Sequence, residues 1–179
     1  DVATVTLVRK DGALTLVRAE QGWRLAEKAN YPVAFDRVRK LLVDMADMKT
    51  VEAKTRTPAV YSSLDVDDLS AADAKSVVVT LKDAGGAQVA SLVVGKTRPG
   101  RGGPASDATY VRKSGETQAW LVSGRIAPDR EPERWLERRL LDIGRDRVQE
   151  ATLGQADGTY RLFAGAYERR DEPQGASLA

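Results

Sequence analysis

Three times along the chain, a segment that alternates apolar and polar residues runs into a turn rich in Asp and Gly and then into a second alternating segment. The paired segments are residues 2–8 and 13–18, 76–81 and 88–94, and 148–153 and 159–163. Asp and Gly tolerate the positive φ angles that tight hairpin turns require. The sequence therefore predicts three antiparallel β-hairpins, with further strands at residues 22–25, 109–113 and 118–122.

Helices are predicted after the first two hairpins. The first carries apolar residues at three- and four-residue spacing, namely Phe35, Val38, Leu41, Leu42, Met45 and Met48. The second begins at Pro132, ends at Gly144, and directs four apolar residues inward, namely Trp135, Leu136, Leu140 and Ile143. Residues 58–64 are predicted to add a short helical turn. The expected fold class is α+β, with antiparallel β-hairpin sheets and amphipathic helices packed on one face.

The recurrence of hairpin and helix leaves two interpretations of the organisation open. One is two imperfect hairpin–helix repeats, and the other is a hairpin pattern that recurs without duplication. The predicted units are a hairpin–helix unit (1–56), a linker (57–75), a larger antiparallel sheet with a helix (76–147), and a third hairpin followed by a polar tail that begins at Glu168 (148–179). One continuous domain is the alternative. Trp23, Trp120 and Trp135 occupy apolar positions of predicted elements, so we expect them to anchor the core.

The chain contains no His and no Cys. Their absence excludes Ser-His-Asp and Cys-His catalysis, disulfides, and zinc or iron–sulfur sites with Cys ligands. The 28 Lys and Arg against 26 Asp and Glu give a formal net charge of +2, which predicts no strong attraction to nucleic acid. We therefore expect a protein that is not an enzyme and has no catalytic residues, cofactor, metal site or nucleic-acid partner.

Two motifs are candidate sites. Gly95-Lys96-Thr97 resembles the end of a phosphate-binding loop, but Ala90 stands where that loop needs its first Gly, and Arg98-Pro99-Gly100 is a poor helix start. A strand that ends in a turn is the better interpretation. The acidic cluster Asp65, Asp67, Asp68 and Asp73 lacks the spacing of a calcium loop. Helix and turn capping by Asp67, Asp68 or Ser70 accounts for it, and a carboxylate-dependent hydrolase is the open alternative.

The segment 97–108 is rich in Gly and Pro, which predicts a long, flexible, exposed loop between two strands. Five cations against Asp107 make it and its flanks basic, namely Lys96, Arg98, Arg101, Arg112 and Lys113. These five residues are the candidate partner-contact loop, which would bind anionic headgroups or the acidic face of a partner. A solvated hairpin connection is the alternative.

Most of the chain carries short motifs of a recognisable kind, namely Gly22-Trp23-Arg24-Leu25, Tyr31-Pro32-Val33, the helix at residues 36–42, Tyr61-Ser62-Ser63-Leu64, residues 92–96 and 109–112, Leu140-Leu141-Asp142-Ile143, and Arg147-Val148. Together they resemble the domain-of-unknown-function family 4340. The linker of that family usually continues with Gly after Leu, whereas Asp65 stands here.

The resemblance implies a Gram-negative envelope protein with one N-terminal membrane helix, encoded beside a gliding-motility-type ABC transporter and its auxiliary protein. A strand pattern begins at Thr4, close behind Asp1, so we expect the anchor to have been removed from this chain. The expected location is the periplasmic face of the inner membrane.

The resemblance and the composition together lead to one main hypothesis. It is a non-enzymatic, membrane-anchored, extracytoplasmic binding module of an ABC transport system, whose partner is the transporter or its auxiliary subunit. Anionic lipid or glycan is the further partner considered. The alternatives are a lipid or glycan carrier with an apolar groove and a carboxylate-dependent hydrolase.

Overall fold

A computed structural model of the chain describes residues 1–139, 150–155, 158–163 and 166–170. The chain divides into two compact units, Asp1–Arg138 and Arg139–Ala179. Each unit has its own sheet, and antiparallel strands outnumber helices in the described residues. The predicted α+β class is confirmed.

The first unit is built on one antiparallel sheet of nine strands within its described residues. The strands are β1 (Thr4–Arg9), β2 (Gly12–Ala19), β3 (Gly22–Leu25), β4 (Tyr31–Val33), β5 (Thr50–Ala53), β6 (Val77–Lys82), β7 (Gln88–Arg98), β8 (Ala108–Lys113) and β9 (Ala119–Ser123). Their order across the sheet is β4-β3-β2-β1-β6-β7-β8-β9-β5. The first two predicted hairpins are confirmed, with Leu7 opposite Leu14 in one and Val79 opposite Leu92 in the other. Pairing of β1 with β6 joins them into one sheet.

The helix α1 (Phe35–Asp47) connects the two outer strands of this sheet. It follows β4 after Ala34 and reaches β5 through Met48 and Lys49. Nine flat strands would hold their outer members about 38 Å apart, whereas this helix of 13 residues is about 20 Å long. The sheet therefore curves, and register shifts in the β5–β9, β6–β7 and β7–β8 pairs favour that curvature.

The two faces of the sheet have separate apolar clusters. The larger cluster combines Val38, Leu41 and Met45 of α1 with strand residues and with Trp23 and Trp135. Trp120 is partly buried against it, so the predicted role of the three Trp residues in the core is confirmed. Phe35 was predicted to belong to the buried stripe, but it is 58% exposed. It is the first residue of the helix, and the buried face begins one turn later, at Val38.

The predicted second helix is shorter than its apolar spacing indicates. Helix α2 covers Pro132–Trp135, and residues 136–139 are not helical. Leu136 forms an isolated antiparallel bridge with Val33, and the amide of Glu137 donates to the carbonyl of Pro32 at 2.9 Å. The open edge of β4 thus pairs with the main chain of Leu136 and Glu137, which would otherwise have continued the helix. Three predicted features of this helix, Leu140, Ile143 and Gly144, lie outside the described residues.

The second unit contains the third predicted hairpin. Strand β10 (Glu150–Gln155) pairs antiparallel with β11 (Gly158–Phe163), which confirms it. Strand β12 (Ala166–Arg170) then pairs with β11, so Glu168, predicted to begin a polar tail, lies in a strand. Asp157 and residues 171–179 lie outside the described residues. Across the described part of both units, the structure has no helix with the length and apolar character that a membrane span requires.

Candidate functional site

A linker lies against the second face of the nine-stranded sheet and carries one of the motifs noted above. The 3-10 helix Pro58–Leu64 confirms the predicted helical turn. Tyr61 and Val66 are buried there with Val93 and Ala119. A side chain at Gly95 would meet the main-chain carbonyl of Leu64, so the linker approaches β7 as closely as glycine allows.

Arg112 projects from β8 into this contact and is 3% exposed. Its Nε donates to the carbonyl of Val66 at 3.2 Å, its Nη1 donates to the carbonyl of Glu116 at 2.9 Å, and its Nη2 pairs with the carboxylate of Asp68. The guanidinium also lies over the ring of Tyr61. The protein itself therefore supplies partners for all three guanidinium nitrogens and covers one face of the cation. Although the sequence placed Arg112 among the partner-contact residues, the structure places it inside the linker contact.

The other four predicted contact residues are exposed, but they form two groups. Lys113 pairs across the sheet with Leu92, whereas Arg98 pairs with Ala108, so about 17 Å of strand separates these two cations. Lys113 forms an ion pair with Glu116 at 3.5 Å. Lys96, Arg98 and Arg101, by contrast, lie at or just beyond the end of β7, and they are named the basic loop surface below.

Strand β7 continues through Gly95-Lys96-Thr97 to Arg98, with a register shift between Val94 and Thr97. The predicted turn at this motif is therefore wrong, because pairing with β8 extends the strand. The motif also precedes no helix, as a phosphate-binding loop would require. Lys96 is consequently presented from a paired strand.

The loop after β7 is held by its own hydrogen bonds. The amide of Gly100 donates to Oδ1 of Asp107 at 3.0 Å, and that of Gly102 donates to Oγ of Ser106 at 3.0 Å. A short 3-10 helix, Pro104–Ser106, completes the loop. Asp107, the local acid, is only 8% exposed and accepts from the backbone. The loop is thus more organised than its Gly and Pro content predicted. Lys96, Arg98 and Arg101 have no acidic partner among the described residues.

The acidic cluster is dispersed around the linker. Asp68 pairs with Arg112 and does not cap a helix, and the main-chain carbonyl of Asp67 accepts from Ser76 Oγ at 2.7 Å. Asp65 ends the 3-10 helix in the left-handed region at φ 56°, a conformation that glycine adopts more readily than other residues. Among residues whose structure is described, no group of three or more acidic side chains is arranged to hold a metal ion.

Two neighbouring clefts lie at the end of the sheet that contains the last residues of β7. One, of about 230 Å³, is lined by Lys96, Asp65 and Arg130 among others. The second, of about 470 Å³, includes Arg9, Lys75 and Arg130 in its lining. Arg130 therefore belongs to both clefts. The sequence did not single out Arg9, Lys75 or Arg130, because they are far apart in the chain. The pairing of β1 with β6 brings Arg9 near Lys75, and a hydrogen bond from Arg130 to the carbonyl of Lys75 brings in the third cation.

Comparison with known proteins gives one match. Residues 23–177 match the family described as domain of unknown function (DUF4340). Neither the curated proteins nor the solved structures give a match. The matched residues include the linker of Tyr61, the end of β7 and the site of Arg112, which the fold assembles into one contact.

Proposed function

Because the chain belongs to the family of the domain of unknown function DUF4340, we propose that it is a non-enzymatic binding module of the bacterial envelope. Its partner is an acidic face of an ABC transporter or of that transporter's auxiliary subunit, and its location is the periplasmic side of the inner membrane. The proposed transporter, membrane anchor and location rest on the resemblance of motifs in this chain to those of the family. The mode of binding comes from the basic loop surface.

One observation carries the proposed mode of binding. Lys96, Arg98 and Arg101 are exposed, and none has an acidic partner within the part of the chain that the structure describes. Cations that serve only solubility are commonly interspersed with acidic neighbours. The acid within this loop, Asp107, is buried and accepts from the amide of Gly100 instead. An acidic partner could therefore bind these three cations without first breaking an ion pair within the protein.

Site-specific crosslinking in native membranes tests this proposal. A photo-crosslinking residue at the exposed position Ala105 lies in the loop without replacing a cation. We expect mass spectrometry to identify a subunit of an ABC transporter or its auxiliary protein. The yield should fall as salt rises from 0.1 to about 1 M, because screening shortens the range of the attraction to about 3 Å.

A pair of triple variants separates this surface from net charge. Replacing Lys96, Arg98 and Arg101 by Ser should abolish the crosslink, whereas replacing Arg39, Lys49 and Lys82 by Ser removes the same charge elsewhere and should preserve it. Equal yields from the two triple variants would refute the role of the basic loop surface. Failure to recover any transporter or auxiliary subunit would refute the proposed partner.

A further inference from the structure

A second group of cations lies in the larger cleft, between the turn of the first hairpin and the segment that enters β6. The cleft has a volume of about 470 Å³, which is within the range of small-molecule sites. Its polar lining consists of Arg9, Lys10, Asp11, Lys75, Ser76 and Arg130. Four cations thus face one carboxylate in a single concave site.

Local structure fixes where these side chains meet. Val8 pairs with Val78, which brings Arg9 at the end of β1 beside the segment that precedes β6. Nη2 of Arg130 donates to the carbonyl of Lys75 at 2.7 Å, so the segment after β9 is tied to the same place. Nζ of Lys10 donates to the carbonyls of Ala71 and Ala72, which ties the turn of the first hairpin to the linker. Main-chain acceptors, and not acidic side chains, hold most of this arrangement.

The charges in the cleft are only partly compensated. Asp11 pairs with Nε of Arg9 at 3.2 Å, and its side chain is 75% exposed to solvent. This leaves the two Nη groups of Arg9, the ammonium of Lys75, and the Nε and Nη1 of Arg130 without a partner among the described residues. Donors from three separate segments therefore remain available around one cavity.

Such a set of donors fits a tetrahedral dianion better than a planar carboxylate. One arginine fork satisfies a carboxylate, whereas a phosphate group offers several oxygens to donors that approach from different sides. The cleft also has room for more than the charged group alone. We propose that it binds a phosphomonoester dianion, either on a soluble molecule or on a lipid headgroup. This site is distinct from the basic loop surface and does not depend on the proposed function.

Calorimetric titration of the 179-residue chain at fixed ionic strength tests the site. The probes are inorganic phosphate, glycerol phosphate, acetate, and vesicles of phosphatidylcholine with and without phosphatidic acid. We expect a phosphate-bearing probe to bind more tightly than acetate, which is a planar carboxylate. Replacing Lys75 by Gln should weaken binding by at least about tenfold, because it removes a charged donor of a hydrogen bond to the dianion.

Lys82 provides the matched control, because it lies at the other end of β6 and lines neither cleft. Lys82→Gln removes the same charge and should leave the affinity unchanged. Binding of glycerol phosphate places the ester on a soluble molecule, and binding only to phosphatidic acid vesicles places it on a lipid; either outcome supports the site. Absence of binding to every phosphate-bearing probe, equal affinity for acetate, or equal effects of the two substitutions would overturn it. Lys75→Gln should leave the Ala105 crosslink intact, so failure of one proposal is distinguishable from failure of the other.

Discussion

The guanidinium carbon of Arg112 lies 4.8 Å from the centre of the Tyr61 ring, so a cation on β8 stacks on a residue of the linker. The hydroxyl of Tyr61 donates to the carbonyl of Thr117, and Arg112 donates to that of Glu116. The two side chains thereby tie the linker to the turn between β8 and β9. This arrangement explains why motifs distant in the sequence belong together: they form one packing contact on the second face of the sheet.

Replacing Arg112 should destabilise the first unit. Arg112→Met leaves the carbonyls of Val66 and Glu116 without their donor, and we expect a loss of about 3 kcal/mol in the free energy of unfolding. Asp68→Asn should cost less than about 1 kcal/mol, because the Asp68 side chain is 71% exposed and the buried donors of Arg112 keep their carbonyls. Urea denaturation measures both variants. Equal losses would show that the ion pair, and not the buried hydrogen bonds, dominates.

The hydroxyl group and the ring of Tyr61 should each contribute to the stability of the first unit. Tyr61→Phe removes the hydroxyl that donates to Thr117 and should cost about 1 kcal/mol. Tyr61→Leu also removes the ring under Arg112 and should cost about 1 kcal/mol more. Tyr31→Phe is the control, since that side chain is 37% exposed. If the Phe and Leu variants unfold at the same urea concentration, stacking of Arg112 on the ring contributes nothing.

The hairpins could be predicted because their signals are local. An Asp-Gly turn between alternating segments fixes both the pairing and the register within a few residues. The burial of Arg112 could not be predicted in this way. Alternation along β8 places Arg112 on the other face of the sheet from its neighbour Val111, the face that a one-sided sheet would expose. Only the docking of a linker some fifty residues earlier in the chain covers that face.

The end of α2 could not be predicted for a related reason. The apolar spacing after Trp135 continues a helix, but Leu136 bridges to Val33 at the open edge of β4. That competition depends on the position of a strand about a hundred residues earlier, and no local pattern reports it. The same contrast holds for the candidate sites. Lys96, Arg98 and Arg101 could be predicted because they lie close together in the sequence. The cleft of Arg9, Lys75 and Arg130 could not be predicted, because only the fold shows that they are neighbours.

Gly95 should be intolerant of a side chain. A methyl group there would meet the carbonyls of Leu64 and Asp65, which are main-chain atoms and cannot rotate away. We therefore expect Gly95→Ala to cost about 1–3 kcal/mol in unfolding free energy. Gly85→Ala is the control, because its methyl group would be 3.4 Å from Oδ1 of Asp83, an ordinary contact, and should change stability by less than about 0.5 kcal/mol. A tolerated Gly95→Ala substitution would show that the linker can move away from β7.

Glu133 should titrate below its ordinary value. A hydrogen bond from its own backbone amide, followed by its contact with Lys28, holds the pKa of Glu133 below 4.5, and Nζ of Lys28 lies 3.3 Å from Oε1 of Glu133. A carboxyl whose pKa is lowered by folding stabilises the protein above its unfolded pKa, and this contribution is lost as pH falls through the folded pKa. Carbon NMR should therefore find the Glu133 midpoint below 4.5, and Lys28→Gln should raise it only part of the way, because the backbone bond remains. A midpoint that returns fully to 4.5 in Lys28→Gln would instead make Lys28 the principal cause. Glu133→Gln removes this titrating group, so the free energy of unfolding should fall less steeply as the pH is lowered through the pKa of Glu133.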